Sequence, residues 1–437
     1  MAPTAPKPIL IIGAGVSGLL LAQYLRKTGL APFRLFERDA DLTTRGLGWG
    51  LTLHWSLPAL RSLLPEDLVR RLPEAYVDRV AVAEGRPSTF PFYDLSTGEL
   101  KAKTPTASES QRIRVTRDGL RRLLATGLDI QWGKAVNNVQ TAPDGSVTAS
   151  FDDGSSCEGS LVVACDGGSS RIRAMLLPEH QRYPIPVRLL GVKLNSTPDE
   201  IEPLRQLDPY FLQGAASQND SFMYFSVLDA PGNTPAGNGD QYISQMVVSW
   251  PVRSGFFGRA APIGVPDTNE GGVELIKSFA ETWAEPFRSL ARRIPSDTET
   301  KALELYDWPP PKGLRTAGHV ALVGDALHPM AMYRGEGANH AIVDVLDLVE
   351  LVIPQLLLLP SAESSTAAAG GGVGGAGRLR AALDRYEDLV VGRARPAVLA
   401  SRQACLDAHQ WGRIGERSPL LSRRMMNLEF DEGDMSL

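Results

Sequence analysis

A short, wholly apolar run, Ile9 to Ile12, opens the chain; a second, Phe33-Arg-Leu-Phe-Glu37, follows after an intervening stretch, Leu19 to Lys27, whose apolar residues recur with helical spacing. Continuous apolar runs of this length suit strands covered on both faces, and the 3.6-residue period suits an amphipathic helix. Residues 8–38 therefore predict strand, Gly-rich turn, helix and strand at the start of a parallel sheet. Residues 58–72 and 117–126 carry helical patterns. Residues 136–165 alternate polar and apolar in the manner of a hairpin turning at Asp152-Asp-Gly154, and they end in another fully apolar run, Leu161-Val-Val-Ala-Cys165.

Beyond residue 185 the period changes. Val187 to Leu194, Ser221 to Leu228 and Tyr242 to Trp250 alternate over eight or more positions and are separated by loops such as Pro231 to Asp240, so an antiparallel sheet is expected there. The buried-strand pattern then returns once, in His319-Val-Ala-Leu-Val323, with a helix expected from about Gly335. Residues 361–377, Ser/Ala-rich and then Gly-rich, form a low-complexity insertion expected to be a flexible loop between helices.

Length adds one constraint. At 437 residues the chain exceeds what one core of roughly 250–300 residues holds, so two cores are expected. The net charge of -5 gives no basic footprint for nucleic acid. Cys157, Cys165 and Cys405 lack disulfide or metal-ligand spacing, and no metal site is expected. No apolar stretch has the length of a membrane span or a signal peptide core, which gives a cytoplasmic expectation.

Three motifs carry chemistry. Gly13-Ala-Gly15-Val-Ser17-Gly18 joins the first strand to the first helix: Gly13 serves the tight turn, Gly15 admits a pyrophosphate to the backbone, and Gly18 lets helix and strand pack. Glu37, 19 residues after Gly18 at the end of the second strand, is placed to accept from ribose hydroxyls, with Arg38 beside it. In the second motif, Ala164-Cys-Asp166-Gly167-Gly168, a buried strand ends in a turn where Asp166 can cap backbone N–H groups and Arg171 and Arg173 bring positive charge. The third, Val323-Gly324-Asp325-Ala-Leu-His328-Pro329, delivers Asp325 to a strand end. Gly335 and Gly337 then open a helix whose first N–H groups suit an anion.

In this order the three motifs resemble the signatures of the single-component FAD-dependent aromatic hydroxylases of the para-hydroxybenzoate hydroxylase and salicylate hydroxylase type. The stretches Gly48 to Trp55 and His328 to His340 look like the branch of that family found in fungal secondary metabolism. The resemblance spans residues 8–410 in outline and is loose over 174–305; Met332 stands where the family usually has proline. It implies an α/β fold, a Rossmann-like FAD-binding domain of the para-hydroxybenzoate hydroxylase type with an inserted antiparallel substrate sheet and C-terminal helices. The implied boundaries are 1–180 for the first part of the FAD domain, with 75–115 contributing to the substrate domain, 181–305 for the substrate sheet, 306–350 for the second part of the FAD domain, and 351–437 for C-terminal helices.

The resemblance also assigns roles. Glu37 would hold the adenosine ribose and Asp325 the ribityl or pyrophosphate part; Ala338 and Asn339 would lie near the isoalloxazine, and Gly50 and Arg117 would be further FAD contacts. NADPH or NADH would reduce the flavin, O2 would add to give a flavin hydroperoxide, and an aromatic or polyketide-type substrate would take one oxygen atom by hydroxylation or epoxidation. In related fungal enzymes an arginine and a tyrosine on substrate-domain strands serve the reaction; the corresponding positions are Lys193 and Tyr224, with Arg188 on the opposite strand face from Lys193. His54 and His328 read as packed side chains. A Baeyer–Villiger outcome and an oxidase or reductase remain alternatives, whereas a halogenase is disfavoured because no Trp-x-Trp-x-Ile-Pro segment occurs. A monomer or a homodimer fits equally.

Overall fold

The computed structural model describes residues 6–46, 48–233, 239–358 and 375–435. The apolar runs become a five-stranded, wholly parallel sheet in the order Val320–Leu322, Leu161–Ala164, Ile9–Ile12, Phe33–Phe36, Ile130–Gln131. Ile9 to Ile11 are fully buried, as are Leu161 to Ala164. Each such side chain removed from water contributes roughly 1.5–3 kcal/mol, which explains why strands of four residues hold the centre of the molecule. Helices Val16–Thr28 and Gly337–Leu351 pack together on this sheet. The hairpin expected at Asp152-Asp-Gly154 joins Val147–Phe151 to Ser156–Gly159, and Val136–Thr141 extends it to a three-stranded antiparallel meander beside the sheet.

A second sheet has seven strands, in the order Thr300–Ala302, Val187–Ser196, Tyr242–Pro251, Phe222–Asp229, Phe211–Ala215, Phe92–Asp94, Leu100–Ala102. All neighbours are antiparallel except Phe211–Ala215 with Phe92–Asp94. One face carries Leu190, Val192, Met246, Val248 and Trp250 against helices Asn269–Ala280 and Phe287–Arg292. The other carries Val187, Leu189, Phe222 and Val247 toward Tyr333 and the C-terminal helix Gly375–Ala408. The protein is thus a mixed α/β fold in which an antiparallel sheet is set against a parallel, cofactor-type sheet.

Two local expectations need correction. The helix expected over 58–72 is broken into Leu57–Leu63 and Glu66–Arg71. Pro65 forces the preceding Leu64 into an extended conformation (ψ 150°), and the helix must restart. The helix expected from Gly335 begins at Gly337, because Gly335 (φ +66°) closes a single 3-10 turn, Met332–Arg334, before the chain re-enters helix. The low-complexity insertion lies outside the described residues apart from its last three positions, which begin the helix Gly375–Ala408. No helix among the described residues is long and apolar enough to cross a membrane.

Candidate active site

A cavity of about 420 Å³ runs from the C-terminal ends of the parallel strands to the inner face of the seven-stranded sheet. At its first end lies the turn after the opening strand. Gly13 has φ +108°, and a Cβ there would stand 2.3 Å from the Cys165 carbonyl oxygen; a Cβ on Gly18 would stand 2.0 Å from the Gly13 carbonyl oxygen. Only glycine permits either approach. Gly15 is different: nothing lies within 4 Å of its Cβ position, so the backbone at the helix start faces open space. That start has no side-chain cap, and its free N–H groups favour an anion.

Glu37 accepts hydrogen bonds from Ala14 N (2.7 Å) and Asp39 N (3.0 Å) and still lines the cavity, as do Arg38, Arg45, Arg117, Arg121, Lys134 and Arg171. This end is cationic. Arg45 is paired with Asp39, and Arg171 with Asp152. Arg117 has no ion pair among the described residues, and burial pulls its guanidinium pKa down.

Asp166 and Asp325 line the cavity from the loops that follow two neighbouring parallel strands. Asp166 accepts from Ile172 N (3.3 Å) through Oδ2, while its buried Oδ1 has no partner. Burial raises its pKa. Asp325 is exposed to the cavity, where the loops around it still desolvate its carboxyl, and this raises its pKa against the pull of His328, Arg117 and Arg173. Arg173 is a brace: it donates to Gly168 O (2.7 Å), Asp325 O (3.1 Å) and Ala326 O (2.9 Å), locking the two aspartate loops together.

Behind the third motif sits a buried charge cluster. Asp344 accepts from His328 Nε2 (2.6 Å), Arg393 Nη2 (2.6 Å) and Gly324 N (2.9 Å), with no exposed surface. His328 is thus a packed residue that holds the Gly324-Asp325 turn through Asp344. Gly335, Gly337 and Ala338 line the cavity beside Gly50. Asn339 turns inward: it accepts from His54 N (3.0 Å) and Ser56 Oγ (2.8 Å) and donates to Thr52 O (2.9 Å), fastening the strand Gly50–Leu53 to the helix. His54 packs edge-on to Trp55 and is pushed down to about 3 by burial and by the charges of Arg424, Arg112 and Arg334.

The far end is a chamber walled by Trp49, Phe90, Gln213, Phe222, Tyr224, Gln245, Met330 and Tyr333. Strand register explains the set. Gln213 pairs with Tyr224, and Tyr224 with Val247; Lys193 pairs with Gln245, which places Lys193 on the cavity-side face at its exposed margin, next to Gly46. Arg188 pairs with Trp250 and falls by parity on the helix-covered face. Trp250, Phe256 and Phe257 likewise pack with Phe279 on that face.

One residue escaped the sequence reading. Arg114, in the strand Ile113–Thr116, reaches into the chamber and contacts Tyr224, Ser226 and Thr52. A single arginine in Ile-Arg-Val-Thr looks like an ordinary solvent-facing position. Its available signal was Gly50 on the paired strand, where a Cβ would come within 2.2 Å of Arg114 Nη2.

These features fit a dinucleotide with an extended ring system: a glycine turn for phosphates, carboxylates at both strand ends for hydroxyls, an unpartnered Asp166 oxygen, and a helix start at the chamber end. A family model described as FAD binding domain matches residues 7–219. A protein of Arthroderma benhamiae described as "Probable FAD-dependent monooxygenase" is 43% identical, with 96% of each chain covered. The FAD-dependent monooxygenase dbaB of Emericella nidulans is 37% identical over 81% of this chain and 88% of its own. Among solved structures, 2,6-dihydroxypyridine-3-hydroxylase of Arthrobacter nicotinovorans superposes with a TM-score of 0.69 at 19% identity, covering 99% of both chains; it speaks for the fold.

Proposed function

The chain belongs to the FAD-dependent monooxygenases, and from that premise we propose that it uses NADPH or NADH and O2 to place one oxygen atom on an aromatic or polyketide-type small molecule. One observation carries the reading: the FAD-suited cleft continues without a break into an aromatic, partly polar chamber between Gly335–Ala338 and Tyr224. FAD, when bound, supplies the activation of O2 and the transfer of one of its atoms.

The rest falls to the chain. Gly13, Gly15, Ser17 and the adjoining helix start receive the pyrophosphate, Glu37 and Arg38 the adenosine end, and Asp166 and Asp325 the hydroxyls and phosphate near the middle. Arg117, Gly50, Gly337 and Ala338 border the ring system; Gly18, Gly335 and Asn339 keep the surrounding backbone in place. Trp49, Phe222, Met330 and Tyr333 exclude water from the reacting atoms, which matters because water diverts reactive oxygen species unproductively. Tyr224 presents a hydroxyl to substrate and Lys193 a charge at the chamber margin; Arg188, on the covered face, is the weakest of the three catalytic candidates.

The test follows NADPH and NADH consumption by the FAD-loaded protein in air, with phenols, naphthols, anthraquinones and indoles, alongside product mass. Stimulated oxidation with a gain of one oxygen supports the hydroxylase reading. Ring expansion of a ketone to an ester in its place reassigns the reaction to Baeyer–Villiger type. Nicotinamide oxidation without oxygen gain in any product refutes it.

A further inference from the structure

The chain has nine methionines. Four of them are exposed among the described residues: Met175, Met332 and Met426 at 38% and Met425 at 43%. Of these four, only Met332 lines the cavity. It is not there to fill a core. Its neighbours Ala331, Tyr333 and Arg334 are all buried, so the segment packs through those three side chains and leaves the methionine thioether to the cavity.

The turn that carries it is fixed. Gly335 N donates to the Met332 carbonyl (2.9 Å). Arg334 is tied to Glu336 Oε2 (2.7 Å), to Ser422 Oγ (2.8 Å) and to the carbonyls of Pro419 and Arg423. Met332 therefore holds a set place a few residues from Gly337 and Ala338, which border the proposed ring site and line the same cavity. Met330 lines it too, but is half-buried, and its sulfur accepts a hydrogen bond from Ser401 Oγ (3.8 Å). The Met332 sulfur has no such bond among the described residues. Proline, usual at this position in the family the sequence resembles, offers no sulfur at all.

Peroxides oxidise a methionine thioether to the sulfoxide, which turns a flexible apolar side chain into a polar one. On the monooxygenase reading the oxidant arises beside Met332. When no substrate takes the oxygen, NAD(P)H, a proton and O2 yield NAD(P)+ and hydrogen peroxide. The sulfur then gives two electrons to the peroxide: the O–O bond breaks, one oxygen forms the S=O bond, and the other leaves as water. Peroxide formed inside the cavity meets Met332 before it is diluted, an advantage of position that an equally exposed sulfur elsewhere lacks.

We propose that Met332 is a modification site at which the protein oxidises itself. Peroxide released in the cavity converts it to the sulfoxide, and the polar group, set against an apolar wall, slows further turnover until it is reduced. The inference rests on the monooxygenase reading for the source of the peroxide, and its test reads the modification directly.

FAD-loaded protein is photoreduced without air and reoxidised by air in the dark, over several cycles, with catalase in solution. Trypsin releases Met332 in Thr316–Arg334 and Met175 in Ala174–Arg182, and fragmentation separates Met330 from Met332. Met332 is expected to gain one oxygen, about 16 mass units, at least about five times faster than Met175. Hydrogen peroxide added without catalase oxidises both at comparable rates, because their exposure is equal. Met332→Leu, apolar and of similar volume, is expected to start at a nicotinamide oxidation rate within about twofold of the parent and to hold it through cycles that roughly halve the parent's. Methionine sulfoxide reductases restore the parent. Equal modification of Met332 and Met175, loss of the Met332 modification when catalase is present, an intact Met332 after repeated reoxidation, or decline of Met332→Leu at the parental pace overturns the proposal. If reoxidation modifies Met332 while neither NADPH nor NADH is ever consumed, the monooxygenase reading fails and the oxidation site stands. Oxygen insertion into an aromatic, with Met332 intact through the cycles, refutes the oxidation site alone.

Discussion

Removing the Asp344 carboxylate is expected to destabilise the flavin half of the molecule by about 3 kcal/mol. Asp344 has no exposed surface and accepts three hydrogen bonds, two of them from His328 and Arg393. Breaking a buried ion pair by deleting one partner costs about 3–5 kcal/mol. The lower end applies to Asp344→Ala, because Arg393 keeps a second carboxylate, Asp347, at 2.6 Å. Asp347 is partly exposed and holds one bond of the cluster, so Asp347→Ala is expected to cost only about 1 kcal/mol. Urea unfolding followed by flavin fluorescence gives both numbers from the shift in midpoint at constant slope. The pH dependence supplies a second check. Burial alone would raise the pKa of Asp344, but His328 and Arg393 outweigh it and bring it to about 2; its contribution is present above the ordinary value of 3.8 and fades as pH falls toward 2. Burial alone would lower the pKa of His328, but Asp344 outweighs it and raises it above 6.5; that contribution is full below 6.5 and fades as pH rises through the raised value. Stability from this cluster therefore peaks between 3.8 and 6.5, and Asp344→Ala flattens both limbs. A cost for Asp344→Ala no greater than for Asp347→Ala, or unchanged limbs, would refute the reasoning.

Gly13→Ala places a Cβ against the Cys165 carbonyl at φ +108°, and the purified variant is expected to lose most of its flavin, read as the ratio of visible to ultraviolet absorbance; full retention contradicts the proposed phosphate cradle. Asn339→Ala gives up bonds to Thr52, His54 and Ser56 and should cost about 2–3 kcal/mol in thermal or urea unfolding, a result that a loss under about 0.5 kcal/mol would rule out. Gly50→Ala drives a methyl into the Arg114 guanidinium; FAD content is expected to stay near that of the parent while KM for the accelerating aromatic rises tenfold or more, and a rise in FAD dissociation without a change in KM would show that Gly50 serves the cofactor alone.

The cofactor end was legible in the sequence because its chemistry is local. A strand, a glycine turn and a helix lie within residues 9–28, and backbone groups supply the contacts, so spacing alone identifies the arrangement. The chamber was less legible for the opposite reason. Arg114 meets Tyr224 and Ser226 across 110 and 112 positions, and which residues of a strand face inward depends on a register that no single segment encodes. Parity did separate Arg188 from Lys193 correctly, yet it could not say that Gln213 and Gln245 share the inner face with Tyr224. Asn339 lay within a recognisable motif, but its side chain answers to the strand Gly50–Leu53, nearly three hundred positions earlier in the chain. The break at Pro65 was readable from the residue itself and was overridden by the apolar period on either side.

The walls of the cavity run from Ile12 to Ala341, and the clasp between Asn339 and Ser56 spans 283 positions. A chain emerging from the ribosome therefore exposes its first parallel strands long before the strand Val320–Leu322 and the helix Gly337–Leu351 arrive to complete the sheet and close the site. Contacts so distant in sequence form late and slowly. Flavin capture must accordingly wait for synthesis of the chain through at least Ala341, and until then the apolar strands Ile9–Ile12 and Leu161–Ala164 lack part of their cover.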